Sequence, residues 1–344
     1  MGQDKTLARG ARISGAVALA VLALLSLGWI IRDFVAATEV ADVWWMWSGL
    51  PARAADGLWA TSAVEPTLLV LYVVCAVTAV RSSASAGILA ATGVLTVLLR
   101  VPSLWNLNAD WMQGVDDALR DTALYSVIAM LVLGVVLVVI AAAGRRPVTV
   151  GYGQGYGNGY GTGYGYGAGD PGSGAEGPAR PTRGGGVVAF LLLGGAAGVL
   201  AAWEIHWWLD QGWGLYHRAL TGERALVTLL AVPSSWNSWA LAVLALAAAV
   251  AAVAHATYAR PLGMTVGAGV LGAGVFYVSY AVKMNLFDGF GELSVQERLR
   301  VGTAVFEVVA GLLVLGALAA RAARDEEAPL RDYGPNTGFP SRGA

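Results

Sequence analysis

Apolar residues along this chain fall into eight long runs, separated by short polar segments and by one glycine-rich interval. The runs cover residues 13–31, 66–80, 84–99, 122–143, 186–203, 239–258, 262–282 and 295–320. Each approaches the ~20 residues that a helix needs to cross a bilayer core. Inside lipid the backbone finds no water, so such runs must close their own hydrogen bonds as helices. The pattern predicts an all-α, polytopic membrane protein with eight transmembrane helices.

Local signals set the boundaries. The run 13–31 follows a basic N-terminus and exceeds the ~7–15 residues of a signal-peptide core, so it reads as a span. The second run opens at Pro66, a natural first helical position. The third stops at Arg100, with Pro102 just beyond. Ser294 and Glu297 have the spacing of a capping box, which starts the last helix near Val295. A loop over 32–65 holds Trp44, Trp45 and Trp47, and a second Trp-rich loop spans 203–217. Residues 220–232 are apolar enough to predict a short helix lying in the interface.

Residues 151–169 read GYGQGYGNGYGTGYGYGAG. No apolar period runs through them, so they predict a disordered tether. The four runs before the tether echo the four after it. The first run of each set leads into a Trp-rich loop, and the second starts beside a proline. The second and third are joined by a tight turn with one arginine, Arg81 or Arg260. The third ends on a lone cation, Arg100 or Lys283, and LYSVIAMLVLG in the fourth matches VFEVVAGLLVLG in the eighth. Small residues fill the third and seventh runs, which predicts close helix contacts and a central place in each bundle. The chain divides into a first membrane repeat (1–146), a linker (147–185), a second repeat (186–321) and a disordered tail (322–344). An even number of helices gives both copies one orientation, as parallel four-helix repeats.

Composition narrows the classes. Hydrophobic residues make up 56% and charged ones 13%, against about a quarter charged in soluble domains. A net charge of −1 gives no basic field for nucleic acid. The single cysteine, Cys75, excludes an intrachain disulfide and every cysteine-based metal site. Lysine is confined to Lys5 and Lys283 while arginine, alanine, valine and glycine abound, the bias of a GC-rich bacterial genome. Arginines crowd the termini, the flanks of the tether and the tight turns. The chain is therefore expected to be a multi-pass protein of the bacterial plasma membrane with both termini cytoplasmic and the Trp-rich loops outside.

Candidate chemistry is sparse. Glu307 is the one acid inside an apolar run, so it should face the bundle and find a partner. Lys283 is the expected partner, and Arg100 is expected to lack one, which would make the site belong mainly to the second repeat. Glu204 and His206, with Asp210 and His217, match no metal-ligand spacing, and no metal or cofactor is predicted. Of 13 tryptophans, all but Trp29 lie in or beside the outer loops. Indole suits an interface, and a one-sided belt also fits an aromatic surface of Trp44, Trp45, Trp47, Trp207, Trp208 and Trp213.

The leading functional expectation is a non-enzymatic binding or scaffold protein, its cap meeting a lipid, a small molecule or a membrane-protein partner. The alternative is a small transporter with its site near Glu307. More remote is a membrane-embedded transferase: Asp33 and Glu39 follow the first run, where enzymes acting on lipid-linked sugars carry a catalytic acid. That last likeness is positional only.

Overall fold

The computed structural model describes residues 5–52, 54, 58–110, 115–147, 181–224 and 228–319. The tether at 151–169 and the tail beyond 319 lie outside them. The first half holds α1 (Arg9–Ala36), α2 (Val40–Trp47), α3 (Val64–Arg81), α4 (Ser85–Asn106) and α5 (Asp117–Ala143). The second holds α6 (Arg183–Thr221), α7 (Ser234–Val253), α8 (Ala259–Lys283) and α9 (Val295–Ala319). A three-residue ladder joins β1 (Lys5–Leu7) to β2 (Arg145–Pro147), stapling the start of α1 to the end of α5. The fold is all-α in substance, and among the described residues eight helices, all but α2, are long and apolar enough to span a membrane.

The surface pattern shows which solvent the fold was built for. Val17, Val21, Leu24 and Ile31 on α1, and Ile128, Val132, Val135 and Val139 on α5, stand exposed at three- and four-residue spacing. Continuous apolar stripes of this length are not sustained in water; lipid covers them. Two spanning helices lack such a stripe. Among large apolar residues α8 exposes Val282 alone, and α4 exposes Val94, Leu104 and Trp105.

The reason is their position. Helices α1, α3, α4 and α5 pack in a ring, each against the next, and α6, α7, α8 and α9 form a second ring in the same order. The rings meet where α4 touches α7 and α8, and where α3 touches α8. Thus α4 and α8 stand at the junction between bundles rather than each at the centre of its own. Glycine makes the tightest crossings possible. A Cβ on Gly93 would stand 2.6 Å from the carbonyl oxygen of Gly134, and one on Gly311 would stand 2.9 Å from that of Gly267.

The Trp-rich segments depart from the sequence expectation. Residues 203–217 are helical, because α6 continues far past the membrane core. At Gly212 (φ 75°, ψ 166°) the helix breaks. Trp207 and Tyr216 would lie about 13 Å apart along a straight axis, yet their rings are 6.1 Å apart, so the chain folds back. Among the described residues of 220–232 the expected interfacial helix is not formed. Helix α6 ends at Thr221, and Thr228 pairs as a parallel bridge with Trp59 of the first half.

Each half reaches over the other. From the first half, Trp44 and Trp47 of α2 pack on Phe276 of α8, at ring distances of 5.2 and 6.2 Å. From the second half, the carbonyl of Thr221 accepts from Trp105 Nε1 of α4 at 2.8 Å. Gly222 (φ 85°) follows, where a Cβ would strike the Asn106 amide.

Candidate functional site

The site grows from two residues at the end of α1. Asp33 is fully enclosed, and its carboxylate accepts from Arg32 Nη1 (2.8 Å), from the amides of Ala60 and Thr61, and from the Thr61 hydroxyl. Arg32 also donates to the Leu58 carbonyl at 2.7 Å. Together they fix residues 58–61 as an extended strip. The carbonyls of Trp59 and Ala60 then accept from the amides of Leu229 and Leu230, at 3.1 and 2.8 Å. Asp33 is committed to this clasp, and Glu39 caps α2 with its side chain exposed.

The strip ends in a helix cap that also makes an ion pair. The Ser62 amide and hydroxyl both donate to Glu65 Oε2, at 2.5 and 2.8 Å, which starts α3 at Val64 rather than at Pro66. Glu65 Oε1 faces Arg100 Nη1 at 2.8 Å, with both side chains fully buried. Arg100 therefore has the partner that the sequence denied it, and the paired charges lie in the first half. Sequence reasoning missed Glu65, although Ser62-x-x-Glu65 carries the same capping spacing as Ser294-x-x-Glu297. That second cap is present as expected, with the Ser294 amide and hydroxyl on Glu297 and α9 beginning at Val295.

Helix α4 also runs past its expected end, through Pro102 to Asn106. Proline has no N–H for the carbonyl four residues back, which leaves Leu98 without its helical donor. Trp236 of α7 supplies one, its Nε1 donating to the Leu98 carbonyl at 2.8 Å. A sequence break in one half becomes an anchor for the other.

Around Arg100 the polar atoms are not all satisfied. Nη1 also donates to the Leu230 carbonyl at 3.2 Å, but Nε and Nη2 have no partner. Both amide atoms of Asn106 and the hydroxyls of Ser103, Thr228 and Ser235 are likewise unpaired, and every one of these side chains is buried. Arg100, Ser103 and Asn106 recur every three residues on one face of α4. Buried polar atoms without partners are few in native proteins, and three successive turns of this α4 face carry them.

Beside this cluster is a cavity of about 250 Å³ between the halves. Leu68, Leu71, Leu95, Leu99 and Leu241 wall it, and Trp47 lies at its outer end. Asn237 and Tyr277 are among its few polar groups.

Glu307 lies elsewhere. It is buried in the α8–α9 seam, where a Cβ on Gly274 would stand 2.9 Å from its own Cβ. The cavity takes Gly269, Ala273, Phe276 and Tyr277 from the other face of α8. Lys283 does not pair with Glu307 as expected: its Nζ sits 4.8 Å above the Trp45 ring. Lysine at the helix end follows the interface and an indole rather than reaching inward.

The remaining candidates separate too. Glu204 is buried with Oε2 unpartnered, while His206 is exposed with its ring against Trp203, 5.9 Å away. The six tryptophans split in two. Trp44, Trp45 and Trp47 serve the docking of α2, whereas Trp207, Trp208 and Trp213 gather around Tyr216 at the fold-back, with Trp208 and Trp213 exposed.

These features define a multi-span membrane protein with a buried ion pair and an apolar cavity at the junction of its two helix rings. Comparisons with known protein families, with curated proteins and with solved structures find no match.

Proposed function

We propose that this protein is a non-enzymatic binding protein of the membrane, and that its guest is an apolar, single-chain molecule held between the two halves. The carrying observation is the cavity of about 250 Å³ beside Trp47, walled by leucines and lined by residues of both halves. A few polar groups in a mainly apolar pocket are the usual composition of a ligand site. Dodecanol is a suitable probe, titrated onto the full chain in nanodiscs. Ala273→Phe fills the cavity and should abolish binding without changing the fold; binding that survives it, or no binding to the unmodified chain, overturns the reading.

The two rings of helices support the further reading of parallel repeats. Arg81, at the end of α3, and Arg260, at the start of α8, lie at the end of the bundle where α1 begins and α9 ends, which supports a cytoplasmic placement of that end in a bacterial plasma membrane. Cysteines introduced at Gly161 and Gly291 would then react with an impermeant reagent from opposite sides of intact cells.

A small transporter is the second reading. Glu307 favours it: the carboxylate is enclosed and has no ion-pair partner among the described residues. Its separation from the cavity by α8 puts this reading behind ligand binding.

A further inference from the structure

Away from the cavity, the fold-back of α6 brings a second set of groups together. Glu204, Trp207 and Trp208 are spaced three and four residues apart, on one face of α6 before the break at Gly212. Past the break, Trp213 and Tyr216 return onto these rings. The ring centroids of Trp208, Trp213 and Tyr216 stand 6.0, 6.1 and 6.1 Å apart, a nearly equilateral triangle. Trp207 adds a fourth ring, 6.1 Å from Tyr216. Trp239 of α7 fixes the tyrosine by donating from Nε1 to its hydroxyl at 2.5 Å. Trp208 and Trp213 are 46% and 57% exposed, so the triangle is accessible from outside. None of these residues lines the cavity.

This cluster is suited to a cation in two ways. Aromatic faces are electron-rich, and a cation over the triangle stands within the ~6 Å of each centroid at which that attraction acts. Glu204 adds a charge. It is only 7% exposed, its Oε2 has no hydrogen-bond partner, and it forms no salt bridge among the described residues. Tyr216 lies within its electrostatic reach. A buried carboxylate without a counter-charge is costly, and a cation bound beside it offsets that cost. Elsewhere the protein's own cations cover its indoles: Lys283 Nζ lies 4.8 Å over Trp45, and the Arg300 guanidinium 5.1 Å over Trp203. No described lysine or arginine does so at Trp208 or Trp213.

The chemistry of the cluster selects among cations. A hard metal ion needs several oxygen ligands, and no group of three His, Cys, Asp or Glu able to hold a metal occurs among the described residues. A primary ammonium is strongly hydrated and needs several acceptors, whereas the tyrosine oxygen here is already engaged by Trp239. A quaternary ammonium donates no hydrogen bond and suits aromatic faces. We propose that the fold-back of α6 is a second binding site, for a quaternary ammonium group. Trp208, Trp213 and Tyr216 hold its methyl groups, and Glu204 supplies the counter-charge.

The test titrates choline and its uncharged carbon isostere, dimethylbutanol, onto the full chain in dodecyl maltoside micelles. Choline should bind at least about tenfold tighter, because only the charge differs. Trp213→Leu and Glu204→Gln should each weaken choline binding by about threefold or more. The tryptophan is exposed and glutamine keeps the shape of glutamate, so both variants should fold. Ala273→Phe, which fills the cavity, should leave choline affinity unchanged. A short-chain phosphatidylcholine added to the same micelles separates two sources of the group: tighter binding than choline assigns the site to a lipid headgroup, weaker binding to a soluble cation. Absence of saturable choline binding, equal affinity for choline and the alcohol, or unchanged choline affinity in Glu204→Gln overturns the proposal and leaves the cavity reading standing. Loss of choline binding in Ala273→Phe overturns it as well, by placing choline in the cavity.

Discussion

Arg100 Nη1 and Glu65 Oε1 meet at 2.8 Å with neither side chain exposed to solvent, 35 residues apart in sequence. The pair joins the cap of α3 to the middle of the junction face of α4. Removing one member leaves the other as an uncompensated buried charge, which costs about 3–5 kcal/mol. Arg100→Met and Glu65→Gln should therefore each lower thermal stability strongly in detergent. The double variant should recover most of the loss. Strictly additive effects of the two changes would show that the charges do not meet.

Asn106 gives the opposite sign. Both atoms of its amide are buried without partners, so an apolar side chain of similar shape relieves a penalty rather than breaking a bond. Asn106→Leu should raise the melting temperature of the ligand-free protein, by the equivalent of up to about 1–3 kcal/mol. A clear fall would mean that the amide has found partners in solution.

Two glycines should respond differently to one methyl group. Gly93 faces the Gly134 carbonyl, and a Cβ there would stand 2.6 Å from it, whereas nothing lies within 4 Å of one at Gly198. Gly93→Ala should force α4 from α5 and cost about 1–3 kcal/mol. Gly198→Ala should be neutral or gain up to about 1 kcal/mol from helix propensity. Equal effects in thermal unfolding would remove the close-crossing argument.

Lys283 and Glu307 should behave independently. The lysine lies over Trp45 and the glutamate is enclosed in the α8–α9 seam. In a double-mutant cycle, Lys283→Met and Glu307→Gln should add to within about 0.5 kcal/mol. Lys283→Met and Trp45→Leu should couple instead, by about 0.5–1 kcal/mol. Coupling of the lysine to the glutamate would restore the pairing that the sequence suggested.

By itself the sequence determined the eight spans, because each helix closes its backbone hydrogen bonds locally and shows its apolar length without reference to any neighbour. The start of α9 was legible for the same reason: Ser294 and Glu297 lie within one turn. Arg100 was legible as a cation at a helix end, but its partner was not. Glu65 had looked like the last residue of a loop, and only the cap by Ser62 turned it into α3 and toward α4. The run 220–232 departs from expectation because apolar composition does not distinguish a helix in the interface from a strip such as 228–232 buried between two halves; the amides of Leu229 and Leu230 meet the carbonyls of Trp59 and Ala60. Lys283 and Glu307 looked like partners because they are close in sequence and opposite in charge. Their separation was decided by the rotation of α9 in its ring, which places Glu307 against Gly274 and away from the interface where lysine prefers to remain. Charge pairing and cavity formation at the junction depend on how two rings dock, and that relation exists only once all eight helices are in place.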